Sequence, residues 1–217
     1  MLLRLDQIAR GSLEPVSLSL AAGETVKVIA ESRDMADELI GIISGQFLPT
    51  AGRLELFGED AASLSEAARL GLHTRIGFVP ENGGLISNLK AWENLILPAT
   101  FHLDATTDEL EGKVSALARR LGIPADALAA MLGKLPDRLT MAERRQVALM
   151  RAALMKPSLF IYDFLHTGLD RAAGEAMLKA AAEASETAQG TVYLCPDDAV
   201  SARITADRTV RLGAEGS

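Results

Sequence analysis

Short runs rich in β-branched and aromatic residues alternate along the chain with longer stretches whose apolar residues recur at helical spacing. That alternation predicts an α/β fold with a largely parallel sheet. The runs Thr25–Ala30, Arg53–Phe57, Arg75–Val79, Leu159–Asp163 and Thr191–Cys195 read as strands. Leu110, Val114, Leu117, Ala118 and Leu121 fall on one helical face ahead of Gly122, so a helix is expected over about 108–121. From there to Leu135 the chain reads as a helical insertion. Thr140 and Glu143 have capping-box spacing, and the helix they open should run to Met155, where Pro157 enforces a stop. Asp170 is placed to cap a further helix through Ala176, Met177 and Leu178.

Composition narrows the class. At 217 residues the expectation is one domain spanning 1–217. A hydrophobic fraction of 48% against 24% charged excludes a disordered chain. The net charge of −7 speaks against a broad electrostatic footprint for nucleic acid or anionic lipid and leaves room only for a local basic patch. Cys195 is the sole cysteine, and His73, His102 and His166 have no ligand spacing, so neither a disulfide nor a cysteine-rich metal site is expected. Charges interrupt every apolar run near Met1, and no 18-residue apolar stretch occurs. The expected location is cytoplasmic, at the inner membrane only through a partner.

Specific chemistry enters with four segments. Arg138 to Asp170 reads R-L-T-M-A-E-R-R-Q-V-A-L-M-R-A-A-L-M-K-P-S-L-F-I-Y-D-F-L-H-T-G-L-D. This block resembles the signature helix, Walker B strand and D-loop of ABC transporter nucleotide-binding domains. Val28 to Gly52 aligns without a gap to that family's Walker A strand, loop and helix and the turn Pro49-Thr-Ala-Gly52, while Ile76 to Ile86 occupies the Q-loop position. The resemblance implies a P-loop NTPase-like ABC ATPase fold: a mainly parallel sheet, an N-terminal antiparallel β portion and a helical subdomain inserted at about 85–155.

It also shows what this chain lacks. A phosphate loop needs glycines so that backbone N–H groups can face the phosphates, a lysine to reach them and a hydroxyl for Mg²⁺. By alignment the glycines become Ala30, Arg33 and Met35, the lysine Ala36, and the hydroxyl pair Asp37 and Glu38. Asp34, Asp37 and Glu38 are expected to satisfy the helix dipole in place of an anion. Two like charges ~4 Å apart at an effective dielectric of ~20 repel by roughly 4 kcal/mol, so these acids should also repel a triphosphate. The Q-loop glutamine is Glu81, a side chain still able to meet a metal, and Thr140-Met-Ala-Glu143 replaces the signature, with Met141 blocking a glycine's close approach. Asp163 keeps the Walker B aspartate, but Phe164 replaces the catalytic glutamate and Pro196 the H-loop histidine. No adenine-stacking aromatic lies in Ile8 to Val16. No bound cofactor is therefore expected, ATP with Mg²⁺ being the alternative.

The resemblance further implies partners. The D-loop Gly168-Leu169-Asp170 survives, and in the family it crosses a dimer interface; as a plain helix cap Asp170 needs no partner. The flank Glu81 to Pro98, with Leu85, Ile86, Trp92 and Asn94, corresponds to the groove that receives a transmembrane permease subunit. Its wording looks most like the ATPases of Mla/Mce-type lipid-trafficking transporters. Trp92 is read either as a docking anchor or as core. His166 is expected in a surface or interface loop, with a substitute base as the alternative, and Arg144, Arg145 and Arg151 as a solvated or partner-facing stripe. No Gly-x-Ser-x-Gly elbow supports a hydrolase. Two functions follow: a pseudo-ATPase that is a structural or regulatory subunit of a membrane ABC transport complex, or the degenerate half of an asymmetric dimer supporting hydrolysis at its partner's site.

Overall fold

The computed structural model describes residues 1–103 and 105–213, which fall into two compact units. The first comprises Met1–Ile76, Ser158–Ile161 and Ala188 onward; the second comprises Gly77–Pro157 and Tyr162–Thr187.

The first unit opens with β1 (Leu3–Arg10), β2 (Leu13–Leu20), β3 (Glu24–Ala30), α1 (Arg33–Ile43), β4 (Ala51–Leu56), β5 (Glu59–Asp60) and α2 (Glu66–His73). β1 lies antiparallel between β2 and β4, pairing Leu3 with Leu20 and Leu56. Leu3, Leu5 and Ile8 point inward while Arg4 and Asp6 face water, the period-2 signature of a half-buried strand. The step from Leu5 to Ile8 crosses a register shift at Gln7, whose φ is +50°. A β-carbon at Gly52, where φ is +83°, would stand 2.3 Å from the Gln7 carbonyl oxygen, so only glycine fits there. The predicted strand over 53–57 ends one residue early, because Phe57 adopts φ +54°.

The second unit begins within β6 (Ile76–Val79) and carries α3 (Ala91–His102), α4 (Thr107–Arg120), α5 (Ala125–Leu132) and α6 (Met141–Leu154). β7 (Leu159–Asp163) belongs to the first unit as far as Ile161 and to the second from Tyr162, and α7 (Arg171–Ser185) closes the second unit. α4 sits one residue from its expected bounds, with a capping box between Thr106 and Glu109 and with Leu110, Val114 and Ala118 buried. α6 has the expected Thr140–Glu143 box, and Asp170 caps α7 by accepting the Ala173 N–H at 2.9 Å. No described helix is long and apolar enough to cross a membrane.

The chain then returns to the first unit as β8 (Gly190–Cys195), α8 (Asp198–Ser201) and β9 (Arg208–Leu212). β3 runs parallel between β8 and β9, with Val26 opposite Val192 and Arg208. Val26, Val28, Val192 and Cys195 are wholly buried, as expected of a strand covered on both faces.

Candidate functional site

In a phosphate-binding loop, G-x-x-x-x-G-K-[ST], a glycine-rich turn stays open after the strand and the K-[ST] end stands at the helix N-terminus. Here only Glu31 and Ser32 separate β3 from α1. Ser32 adopts extended backbone angles and caps the helix, its Oγ accepting the Met35 N–H at 3.2 Å and its carbonyl the Ala36 N–H at 3.3 Å. The cause is local: Ser32 is a preferred cap and Asp34 complements the first turn. Amides that would face phosphates in an open loop are thus engaged in helical hydrogen bonds. Ala36 is wholly buried.

The acids of this segment differ from expectation. Only Asp34 lies in the first turn. Asp37 pairs with Arg33 at 2.5 Å one turn away, and Glu38 pairs with Arg10 Nε at 2.8 Å. The Arg10 guanidinium stacks 4.4 Å above the Phe47 ring. Two of the three carboxylates therefore carry their own counter-charges, and the repulsion assigned to the trio shrinks accordingly. Pro196, also in this unit, follows β8 and leads to Asp197, which caps α8.

In the second unit the structure gathers several of the predicted residues around one arginine. The Glu81 N–H donates to Asp163 Oδ2 at 3.2 Å. Arg145, 2% exposed, donates Nε to the Glu81 carbonyl at 2.6 Å and Nη1 to the carbonyls of Leu165 and Thr167, both at 2.8 Å. Burial pulls the Arg145 pKa below the ordinary arginine value, against the opposing pull of the Glu81 and Asp163 carboxylates. One α6 side chain thereby holds the Glu81 loop and the loop after β7. Arg151, a turn and a half further, donates to the carbonyls of Gly84 at 2.9 Å and Gly83 at 3.1 Å. A β-carbon on Gly83, at φ +82°, would lie 2.9 Å from the Arg144 carbonyl, which is how closely this loop rests on α6.

The basic stripe expected of Arg144, Arg145 and Arg151 is thus corrected: Arg145 and Arg151 point inward and bind carbonyls. His166 is corrected too, being buried at 5% exposure. Phe164 is buried with φ +45°, a conformation a phenylalanine adopts only at a cost, and its ring has no group to orient or deprotonate water. Thr140 is engaged in the capping box, and Met141 is 40% exposed at the first position of α6. Gly168, at φ +73°, and Asp170 are exposed, with Leu169 half-buried between them.

Along the flank, Ile86 is 45% exposed and Leu85 half-buried. Asn94 is not on the surface: at 1% exposure its Oδ1 accepts the Ile86 N–H at 2.7 Å, and its Nδ2 donates to the carbonyls of Ile86, Leu89 and Lys90. It shapes the loop from within and cannot touch a partner. Trp92 is half-buried against a cavity of about 750 Å³ lined by α4 and α5. Among the described residues no group of three or more His, Cys, Asp or Glu side chains is placed to hold a metal ion.

The role of Arg145 had a sequence signal that composition alone hides. Arg145, Ala148, Leu149 and Ala152 fall on one helical stripe, and a charge on an otherwise apolar stripe needs a buried partner.

An α/β architecture with a mainly parallel sheet, an antiparallel β portion and a helical part, carrying these landmarks in this order, defines an ABC-type ATPase fold. The chain belongs to the ABC transporter family, whose model matches residues 13–163. It is 33% identical over 203 residues to the macrolide export ATP-binding/permease protein MacB of Rhodospirillum rubrum, covering 93% of this chain and 30% of that protein. It is 28% identical to the methionine import ATP-binding protein MetN of Caulobacter vibrioides, covering 94% of this chain and 59% of that protein. The chain therefore spans about a third to three-fifths of the length of these relatives. The ATP-binding cassette MJ0796, solved as a dimer in a post-hydrolysis state bound to ADP and Pi, matches 97% of this chain and 94% of its own with a TM-score of 0.83 at 21% identity. At that identity the likeness concerns the fold.

Proposed function

We propose that this chain is a pseudo-ATPase: an ABC nucleotide-binding domain spanning 1–217, its helical subdomain at about 85–155, that binds no ATP and acts as a structural or regulatory subunit of a membrane transport complex. The observation that carries the proposal is the start of α1 at Arg33, three positions before Ala36 in the lysine's place, which leaves only Glu31 and Ser32 between β3 and the helix. Ala36 in place of the lysine and Phe164 in place of the catalytic glutamate point the same way. In this proposal the chain docks on a transmembrane permease through Leu85, Ile86 and Trp92, and on another nucleotide-binding subunit or itself through Gly168, Leu169 and Asp170. It lies at the inner face of a membrane through that permease. The cargo favoured by the wording of the flank is lipid. MacB and MetN carry export and import in their names, so kinship leaves the direction open.

A thermal-shift titration with ATP and Mg²⁺ tests the central claim. A ligand at ~100 times its Kd would stabilise the fold by about 2.7 kcal/mol. In a chain of this length that is a rise of about 5–10 °C. The expected result is no shift at millimolar ATP. A saturable rise would overturn the proposal in favour of a half-site in an asymmetric dimer. Gentle extraction that yields the chain with no membrane partner would overturn the docking claim.

A further inference from the structure

The C-terminal halves of α4 and α6, with Leu103 after α3 and Thr187 after α7, enclose a second cavity of about 650 Å³, within the range of small-ligand pockets. Leu103, Leu117, Leu154 and Met155 make its wall apolar. Three cations line it, Lys113, Arg120 and Lys156, and among the described residues no carboxylate does. All three are exposed, and none forms an ion pair with a described residue; Lys113 is felt by Glu109 one turn earlier without pairing to it. In a chain of net charge −7 this is a local reversal of sign. The cavity beside Trp92 shows no such bias, being lined by one acid, Glu111, and one base, Arg119.

Helix ends explain part of the pattern. Arg120 and Lys156 lie beside the negative ends of α4 and α6, where cations are favoured. Lys113 sits in the middle of α4 and answers to no helix end. Lys156 adopts φ +50° at the position after the α6 cap, where glycine is usual and a lysine is strained. The strained residue is one that adds a cation to this wall.

We propose that this pocket binds a single-chain anionic amphiphile, an alkyl phosphate or fatty acid, taken up as a monomer. Its headgroup meets Lys113, Arg120 and Lys156, and its chain lies on Leu103, Leu117 and Leu154. The inference holds whether or not the chain binds nucleotide.

The test is calorimetric titration of the full chain with dodecyl phosphate below its micellar concentration, beside zwitterionic dodecylphosphocholine. Saturable one-to-one binding of the phosphate, at least about tenfold tighter than the zwitterion, is expected. Lys156→Gly separates binding from folding, since glycine takes φ +50° without strain: the variant should melt no lower than the parent and bind about tenfold more weakly, as one lost charge-assisted contact implies. Arg120→Gln should weaken binding similarly. Equal affinity for the zwitterion, undiminished binding by Lys156→Gly, or binding to phosphatidylglycerol vesicles without binding of the monomer would each overturn the proposal.

Discussion

Arg145→Met removes the donor that joins three loop carbonyls and leaves an apolar side chain of similar length. The lost contacts are the bonds to Glu81 at 2.6 Å and to Leu165 and Thr167 at 2.8 Å. Bonds from a charged donor are worth about 1.5–3 kcal/mol each, and stripping one partner from a buried polar cluster typically costs about 3–5 kcal/mol. Because burial already lowers the Arg145 pKa, removing the charge also returns some desolvation cost, which places the expected loss near the lower end, about 3 kcal/mol. In a chain of this length each kcal/mol moves Tm by about 2–4 °C, so thermal denaturation should show a fall of about 6–12 °C. Arg144→Met is the matched control: the buried Arg144 Nε has no hydrogen-bond partner, so its removal gives up no bond and Tm should not fall as it does for Arg145→Met. A Tm for Arg145→Met within about 2 °C of the parent would refute the assignment of Arg145 as the joint between these loops.

Three further outcomes are expected. Asn94→Ala empties a buried amide that makes four hydrogen bonds to residues 86–90, so stability should fall by about 2–4 kcal/mol; faster amide exchange at Ile86 would show that the loss lies in that loop, and unchanged exchange would contradict it. Burial would raise the Glu143 pKa, but hydrogen bonds from Lys134 and Thr140 outweigh it and hold the group below its ordinary value. Its stabilising contribution is then complete above the ordinary glutamate range and lost as pH falls through the lowered value, so urea melts of the parent and Glu143→Gln should differ at pH 7 and converge toward pH 3. The Cys195 thiol, pushed up to about 12 by burial, should resist a thiol reagent at pH 8 until the chain unfolds; prompt labelling of the native protein would contradict that environment.

Much of the helical framework was legible because its signals are local. The Thr140–Glu143 and Asp170 caps, the Gly122 stop and the 110–121 stripe each lie within a few residues of the structure they specify. β1 and β9 were harder to see. The inward phase of β1 resets at Gln7, and its partner β4 lies more than forty residues along the chain; the apolar residues of β9 are interrupted by arginines. The start of α1 was written in Ser32, whose Oγ accepts the Met35 N–H, and in Asp34 in the first turn.

The sequence by itself determined the α/β class, the order of the family landmarks and which residue types stand at them, because composition, spacing and capping are properties of neighbouring residues. Tertiary structure alone decided the partners. Glu38 meets Arg10 across a turn of sheet and helix, Asn94 folds back into its own loop, and Arg145 reaches carbonyls 64, 20 and 22 residues away. A charge on a sequence can pair, be solvated or be buried, and the free energies of those outcomes depend on which distant groups the fold brings within about 3 Å.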